Sequence, residues 1–173
     1  MGAAASSKFT RIWRHLWLDA DDTRKAIPRD LAQRLTQRVA ASEQRHSGEV
    51  RICVEAALPL SYLWRDATAR QRAVALFGKL RVWDTEHNNG VLIYLLLAER
   101  AIEIVADRSL ANRVPAAEWH AIVGRMRSAF REGHFEDGLT QALEEVSALL
   151  VEHFPAQPGE RNPNELPDAP VLR

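Results

Sequence analysis

Residues 91–97 form an unbroken apolar run, Val91-Leu92-Ile93-Tyr94-Leu95-Leu96-Leu97, opened by the polar turn signal Asn88-Asn89-Gly90. A charged break at Glu99-Arg100 follows, and apolar residues then alternate at Ile102, Ile104 and Ala106 before Asp107 and Arg108. The run predicts a central strand buried on both faces. The alternation predicts a half-buried strand that turns back antiparallel, because so few residues separate the two. Upstream, over residues 49–57, Val50, Ile52 and Val54 alternate with Arg51, Cys53 and Glu55, a first strand with one firmly apolar face. After Leu58-Pro59-Leu60-Ser61 comes a helix-period stretch through Ala67, Val74 and Phe77, with Ala73, Leu76 and Leu80 beside them. Strand, crossover helix and strand make a right-handed βαβ unit with parallel strands, so the sheet is mixed.

Helical periodicity brackets this unit. Pro28 suits a first helical position, and Leu31, Leu35 and Val39 share one face until His46-Ser47-Gly48. Pro115 opens a helix with Trp119, Ile122, Val123, Met126 and Phe130 on one stripe; Gly133 stops it, and Phe135, Leu139, Leu143, Val146 and Leu150 form the stripe of the next. Beyond Phe154 the composition turns to Pro, Gly, Asn and charge, where no packed element is expected. The expected fold is α/β: a small mixed sheet of three to four strands sandwiched between helices. An N-terminal arm covers residues 1–27, the domain 28–154, and a flexible tail 155–173.

The arm carries a short helix over residues 9–18, with Ile12, Trp13, Leu16 and Trp17 at helical spacing and Lys8, Arg11, Arg14 and His15 around them. One reading is a membrane-surface helix making peripheral contact through Trp13 and Trp17. The other is an arm that folds its aromatic stripe onto the domain or onto a partner. Asp19, Asp21 and Asp22 end the basic stretch and would repel an anionic surface, which favours the second. Nothing here has the apolar core of a secretory signal, and no run is long enough to span a bilayer. Gly2 and Ser6 fit the myristoylation pattern, which requires a eukaryotic acyltransferase.

At 173 residues the chain is long enough to bury its own core. The 23 basic and 23 acidic residues balance, which argues against a nucleic-acid binder, and Arg11, Arg14, Arg24 and Lys25 make too small a basic region to reverse that. Cys53 is the single cysteine, so no intramolecular disulfide forms; a reducing, cytoplasmic location is expected. The six histidines are dispersed, neither Ser61 nor Cys53 has a nucleophile motif, and there is no Gly-rich phosphate loop.

The strand directions say where chemistry would gather. One edge of the sheet collects the starts of the first two strands and the end of the third, with Glu49, Asp84, Glu86, Asn88, Asn89, Asp107 and Arg108. Oxygen ligands from several loops suit Mg²⁺ or Ca²⁺, making Asp84, Glu86 and Asp107 candidate metal ligands, Arg108 a candidate phosphate-binding residue, and Asn88, Asn89 and Glu49 their support. The same residues also suit a helix cap and a turn. The opposite edge carries Tyr62, Trp64 and Arg65, residue types that serve equally as a partner surface or as a cover for the core.

Gly48-Glu49-Val50, Asn88-Asn89-Gly90-Val91-Leu92, Arg100-Ala101-Ile102-Glu103-Ile104, Phe130-Arg131-Glu132-Gly133-His134-Phe135 and Gly138-Leu139 occur in that order. Together they resemble the TPM domain family of bacterial and thylakoid-lumen proteins, sometimes described as TPM phosphatases, over about residues 28–154. Many members have Asp where this chain has Asn88, and Gly-Tyr-Gly where it has Val105-Ala106-Asp107, so it resembles a divergent branch. The Asn88 exchange replaces an anionic ligand with a neutral amide and weakens a hard-cation site. Two functions follow. One is an accessory or binding module acting with a protein partner, membrane-anchored or at the envelope; the other, implied by the resemblance, is a divalent-metal-assisted phosphomonoester hydrolase.

Overall fold

The computed structural model describes residues 2–159 and 162–173, with side chains from residue 8 onward. The myristoylation pattern at Gly2 and Ser6 rests on side chains outside those described. Helix α1 (Gly2–Leu16) is longer than its sequence pattern predicts. Asp19 does more than end a basic stretch. It starts α2 (Ala20–Ala26) as one half of a reciprocal cap, its carboxylate accepting from the N–H of Asp21 while Asp22 accepts from its own N–H. Pro28 is the N-cap of α3 (Arg29–Glu43), which stops three residues before His46.

The βαβ unit forms as expected. β1 (Val50–Glu55) leads through a short α4 (Leu60–Trp64) and α5 (Ala69–Lys79) to β2 (Val91–Leu96), which pairs with it in parallel, Val50 opposite Val91. A tight 3₁₀ turn at Leu97–Glu99, closed by Arg100 in the left-handed region, reverses the chain into β3 (Ala101–Ala106), antiparallel to β2. A short α6 (Arg108–Ala111), then α7 (Ala116–Glu132) and α8 (Phe135–His153), complete the helical layer. Gly133 ends α7 at φ 83°, the left-handed geometry that an L side chain resists.

The sheet is sandwiched between two apolar layers. Val50, Ile52, Val54, Ile93, Leu95 and Ile104 meet α3, α7 and α8 on one face. Cys53, Leu92, Tyr94, Leu96 and Val105 meet α5, Leu58 and Leu63 on the other. All six residues of β2 are buried, as the unbroken run requires. Within the second layer, Glu55 accepts two hydrogen bonds from Arg72, at 2.9 and 2.6 Å, and one from the Tyr94 hydroxyl at 2.8 Å. Burial pushes the Cys53 thiol up to about 12, so it packs as a small apolar side chain.

The C-terminal segment differs from expectation, because it carries a packed element. A fourth strand, β4 (Val171–Leu172), pairs in parallel with β1 and gives the order β3-β2-β1-β4. Leu166 is buried in the α5-side core, the Arg51 guanidinium donates to the carbonyls of Pro167 and Ala169, and the Asn162 amide donates to those of His46 and Gly48. Three apolar residues and a set of carbonyl contacts hold the segment without producing any periodicity in the sequence.

The arm is also fastened, though not by its aromatic stripe. Arg11 donates to Glu99 at 2.7 Å, Asp66 at 2.9 Å and the Ala67 carbonyl at 2.6 Å. Buried His15 accepts from the Leu58 N–H through Nδ1, so its Nε2–H points to Glu99 at 3.0 Å. Ile12 packs against the α5-side core, whereas Phe9, Trp13, Leu16 and Trp17 remain exposed. The reading in which the stripe folds onto the domain is therefore corrected: the polar face docks and the aromatic face points away.

Candidate functional site

The register places Glu49, Gly90 and Asp107 side by side at one end of the sheet. The Val91 N–H donates to the Glu49 carbonyl and the Asp107 N–H to the Gly90 carbonyl, both at 2.8 Å. Val50 and Val91 face the α7/α8 side, so by strand alternation this row faces the α5 side. Gly90 has to be glycine here, because a Cβ would lie 2.0 Å from the carbonyl oxygen of Val82, which packs over it.

Three oxygen atoms at this end are buried without a hydrogen-bond partner: Glu49 Oε1, Asn89 Oδ1 and Asp107 Oδ2. The other Glu49 oxygen accepts from the Leu166 N–H at 3.1 Å, and the Asn89 amide donates to Ser47 Oγ at 3.3 Å. Asp107 Oδ1 caps α6 by accepting from the Arg108 N–H at 2.6 Å. Burial raises the Glu49 carboxyl above its ordinary range, and the nearby charges of Glu165 and Asp168 add to that.

The remaining candidates at this edge sit on its rim. Asp84 is exposed and paired with Arg81 at 2.5 Å. Glu86 is exposed, and its N–H donates to the Glu165 carboxylate at 3.1 Å. Asn88 turns the chain at φ 49°, and its carbonyl accepts from the Ser109 N–H at 3.1 Å, tying the loop before β2 to the one after β3. The Arg108 side chain is exposed. Among the described residues no three Asp, Glu, His or Cys side chains converge closely enough to hold an ion. At the opposite edge Tyr62 is half-buried, with the guanidinium carbons of Arg65 and Arg72 each 5.0 Å from its ring centre, while Trp64 and Arg65 are exposed.

Sequence reasoning missed two titratable groups beside this end. Glu43, at the last turn of α3, is buried and accepts from the Val50 N–H at 2.9 Å. Burial pushes its carboxyl up to about 8, with Glu49 and Asp168 adding repulsion. His46 is buried between the Ser42 hydroxyl at 2.8 Å and the Gly48 carbonyl at 3.0 Å, and burial pulls it down to about 4. Both lie at a helix end, where apolar periodicity fades and no pattern marks them as interior.

These two groups set opposite pH slopes. Glu43 ionises near 4.5 when unfolded, so its contribution is complete below that value and lost as pH rises to about 8. His46 contributes fully above 6.5 and loses its contribution as pH falls towards 4. The slopes oppose one another between about 4.5 and 6.5. Above that range Glu43 acts alone of the two, and stability is expected to fall by roughly 1 kcal/mol per pH unit, levelling off as pH approaches 8, with the raised Glu49 carboxyl acting in the same direction. Glu43→Gln, which keeps an acceptor for the Val50 N–H, is expected to flatten this limb in urea titrations at pH 6.5 and 8. An unchanged slope would show that Glu43 is ionised in the folded state.

Comparison with known proteins agrees with this architecture. The structure is similar to the NMR structure of the BA42 protein from the psychrophilic bacterium Bizionia argentinensis, with 22% identity, a TM-score of 0.68, and coverage of 86% of this chain and 92% of that one. It is also similar to the N-terminal domain of a P. gingivalis protein, with 20% identity, a TM-score of 0.60, and coverage of 76% and 83%. At these identities the likeness shows the fold alone. A search of curated proteins gives no match. The family model described as TPM domain matches residues 20–149, most of the sandwich, and the chain belongs to the TPM domain family.

Proposed function

We infer that the chain is a TPM-domain accessory or binding module that acts with a protein partner at or near the cell envelope, on its cytoplasmic side. The observation that carries this is where the exposed apolar side chains lie. Trp64 is 71% exposed beside Arg65 and exposed Leu60, and Lys8 of α1 donates to the Trp64 carbonyl at 3.2 Å, joining this corner to the arm. Exposed tryptophan beside arginine is the composition of an interface centre, while Tyr62, held against Arg65 and Arg72, stiffens its base. A photo-crosslinking amino acid at position 64 is expected to give a discrete adduct in cells, and Arg65→Glu is expected to remove it. The absence of any adduct would overturn this reading.

A second reading, a divalent-metal-assisted phosphomonoester hydrolase, is favoured by the three unpartnered oxygens of Glu49, Asn89 and Asp107. They have the hard-donor chemistry that Mg²⁺ or Ca²⁺ takes, and exposed Arg108, next to Asp107 in the chain, is the residue that would offset phosphoryl charge. With a neutral amide at Asn88, weak binding is expected. Titration with either ion should shift the amides of residues 47–50, 84–90 and 106–109 together and raise the melting temperature by mass action. Asp107→Ala should abolish both effects, along with any phosphomonoesterase activity of the purified protein. No shift at millimolar ion would exclude the site.

A further inference from the structure

We propose that the outer face of α1, together with the basic groove beside it, docks on an anionic lipid bilayer. The proposal rests on the reading of the chain as an accessory module at the envelope and names the surface that would hold it there. Phe9, Trp13, Leu16 and Trp17 are 66%, 59%, 58% and 77% exposed. At 100° per residue they fall within a stripe about 100° wide. Arg11 and His15 lie on the far side of the helix, and their bonds to Glu99, Asp66 and the backbone of Leu58 and Ala67 fix the stripe outward. A side chain that cannot turn back to the core meets whatever lies outside. Two tryptophans and a phenylalanine on a helix lying along the surface suit the boundary between headgroups and acyl chains.

The charge beside the stripe decides between a bilayer and a neutral apolar partner. Arg14 and Leu18 border a groove of about 740 Å³, completed by Asp22, Lys25, Glu99, Arg100 and Arg131 among others. Glu99 is paired with Arg11 and accepts from His15 Nε2–H, and Arg100 donates to the Arg131 carbonyl. The exposed Arg14 and Arg131 guanidinium groups have no ion-pair partner among the described residues. Lys8 lies on the docked side of the helix, its Nζ donating to the Trp64 carbonyl. The three aspartates that follow the helix repel a surface less than the sequence suggests, because two of them are paired. Asp19 caps α2, Asp21 pairs with Arg24 at 2.6 Å, and Asp22 pairs with Lys25 at 3.0 Å. Among the charged residues lining the groove, Arg14, Lys25, Arg100 and Arg131 outnumber Asp22 and Glu99, so the face keeps a net attraction for phosphate-bearing headgroups.

Co-sedimentation of the full chain with vesicles tests this. Binding to phosphatidylglycerol-rich vesicles is expected to exceed binding to pure phosphatidylcholine by about ten-fold or more, and to fall in high salt. Trp13→Ala/Trp17→Ala should reduce it by about ten-fold or more, and Arg14→Glu/Arg131→Glu comparably, with melting temperatures unchanged because all four side chains are exposed. No sedimentation with the anionic vesicles, or binding undiminished in both double variants, would overturn the proposal. So would a dimer in sedimentation velocity that the tryptophan variant dissolves, since the stripe would then join copies of the chain. A Trp64 crosslink that persists while vesicle binding fails would overturn the bilayer and leave the accessory role standing.

Discussion

Ile93→Asp is expected to yield no folded protein. Ile93 sits mid-way along β2, opposite Ile52 of β1 and Ile104 of β3, with no exposed surface. The exchange forfeits the burial of an isoleucine, about 1.5–3 kcal/mol. It also places a carboxylate among apolar side chains of α3, α7 and α8, where an uncompensated charge costs at least several kcal/mol more. Set against the roughly 5–15 kcal/mol by which domains are stable, the sum leaves little or no native state. Ile93→Val, by contrast, should cost only about 0.5–1.5 kcal/mol. Far-UV circular dichroism and urea titration check both. A cooperative transition of wild-type midpoint in the aspartate variant would show that the strand is not central.

Arg72→Met is the second large effect. It strands the buried Glu55 carboxylate with the Tyr94 hydroxyl as its one remaining side-chain donor, and is expected to destabilise by about 3–5 kcal/mol. Arg72→Met combined with Glu55→Gln should recover most of that loss. The buried pair roughly offsets its own desolvation, and the damage comes from leaving one charge alone. The urea midpoints of the single and double variants decide the matter. If the double variant is as unstable as the single, the arginine's packing on Tyr62 matters more than the ion pair.

The elements with strong periodicity were legible. The run at 91–97, the alternation at 101–106 and the Pro115-to-Gly133 stripe each became the expected strand or helix, because burying one face or two leaves a repeating mark. β4 left none: two residues of strand and a buried Leu166 within a Pro- and Asn-rich stretch carry no period. The candidate site divides in the same way. Strand direction brought Glu49, Asn89 and Asp107 to one end of the sheet. Whether a carboxylate at that end turns inward depends on loop packing, and Asp84 and Glu86 ended on the rim. Glu49, placed by sequence only as support, is the most deeply buried acid there, because Leu166 and Asp168 arrive from a segment with no pattern to announce it.

The guard on β1 is short: β4 opposes only Cys53 and Val54 of a six-residue strand. Native-state openings are graded in free energy, and a segment held by a few backbone bonds opens more easily than a strand buried on both faces. The sheet therefore has a hierarchy of permanence. The β2–β3 hairpin and its pairing with β1 are expected to open only on global unfolding and the strap around Leu166 and Val171 before it, so the Arg173 N–H, which donates to the Val54 carbonyl, should exchange faster in D₂O than the amides of β2. Each lifting bares backbone donors and acceptors along the outer edge of β1, a ready template for another extended chain. Edge-to-edge association is thus expected to follow how often the last strand leaves more closely than overall stability.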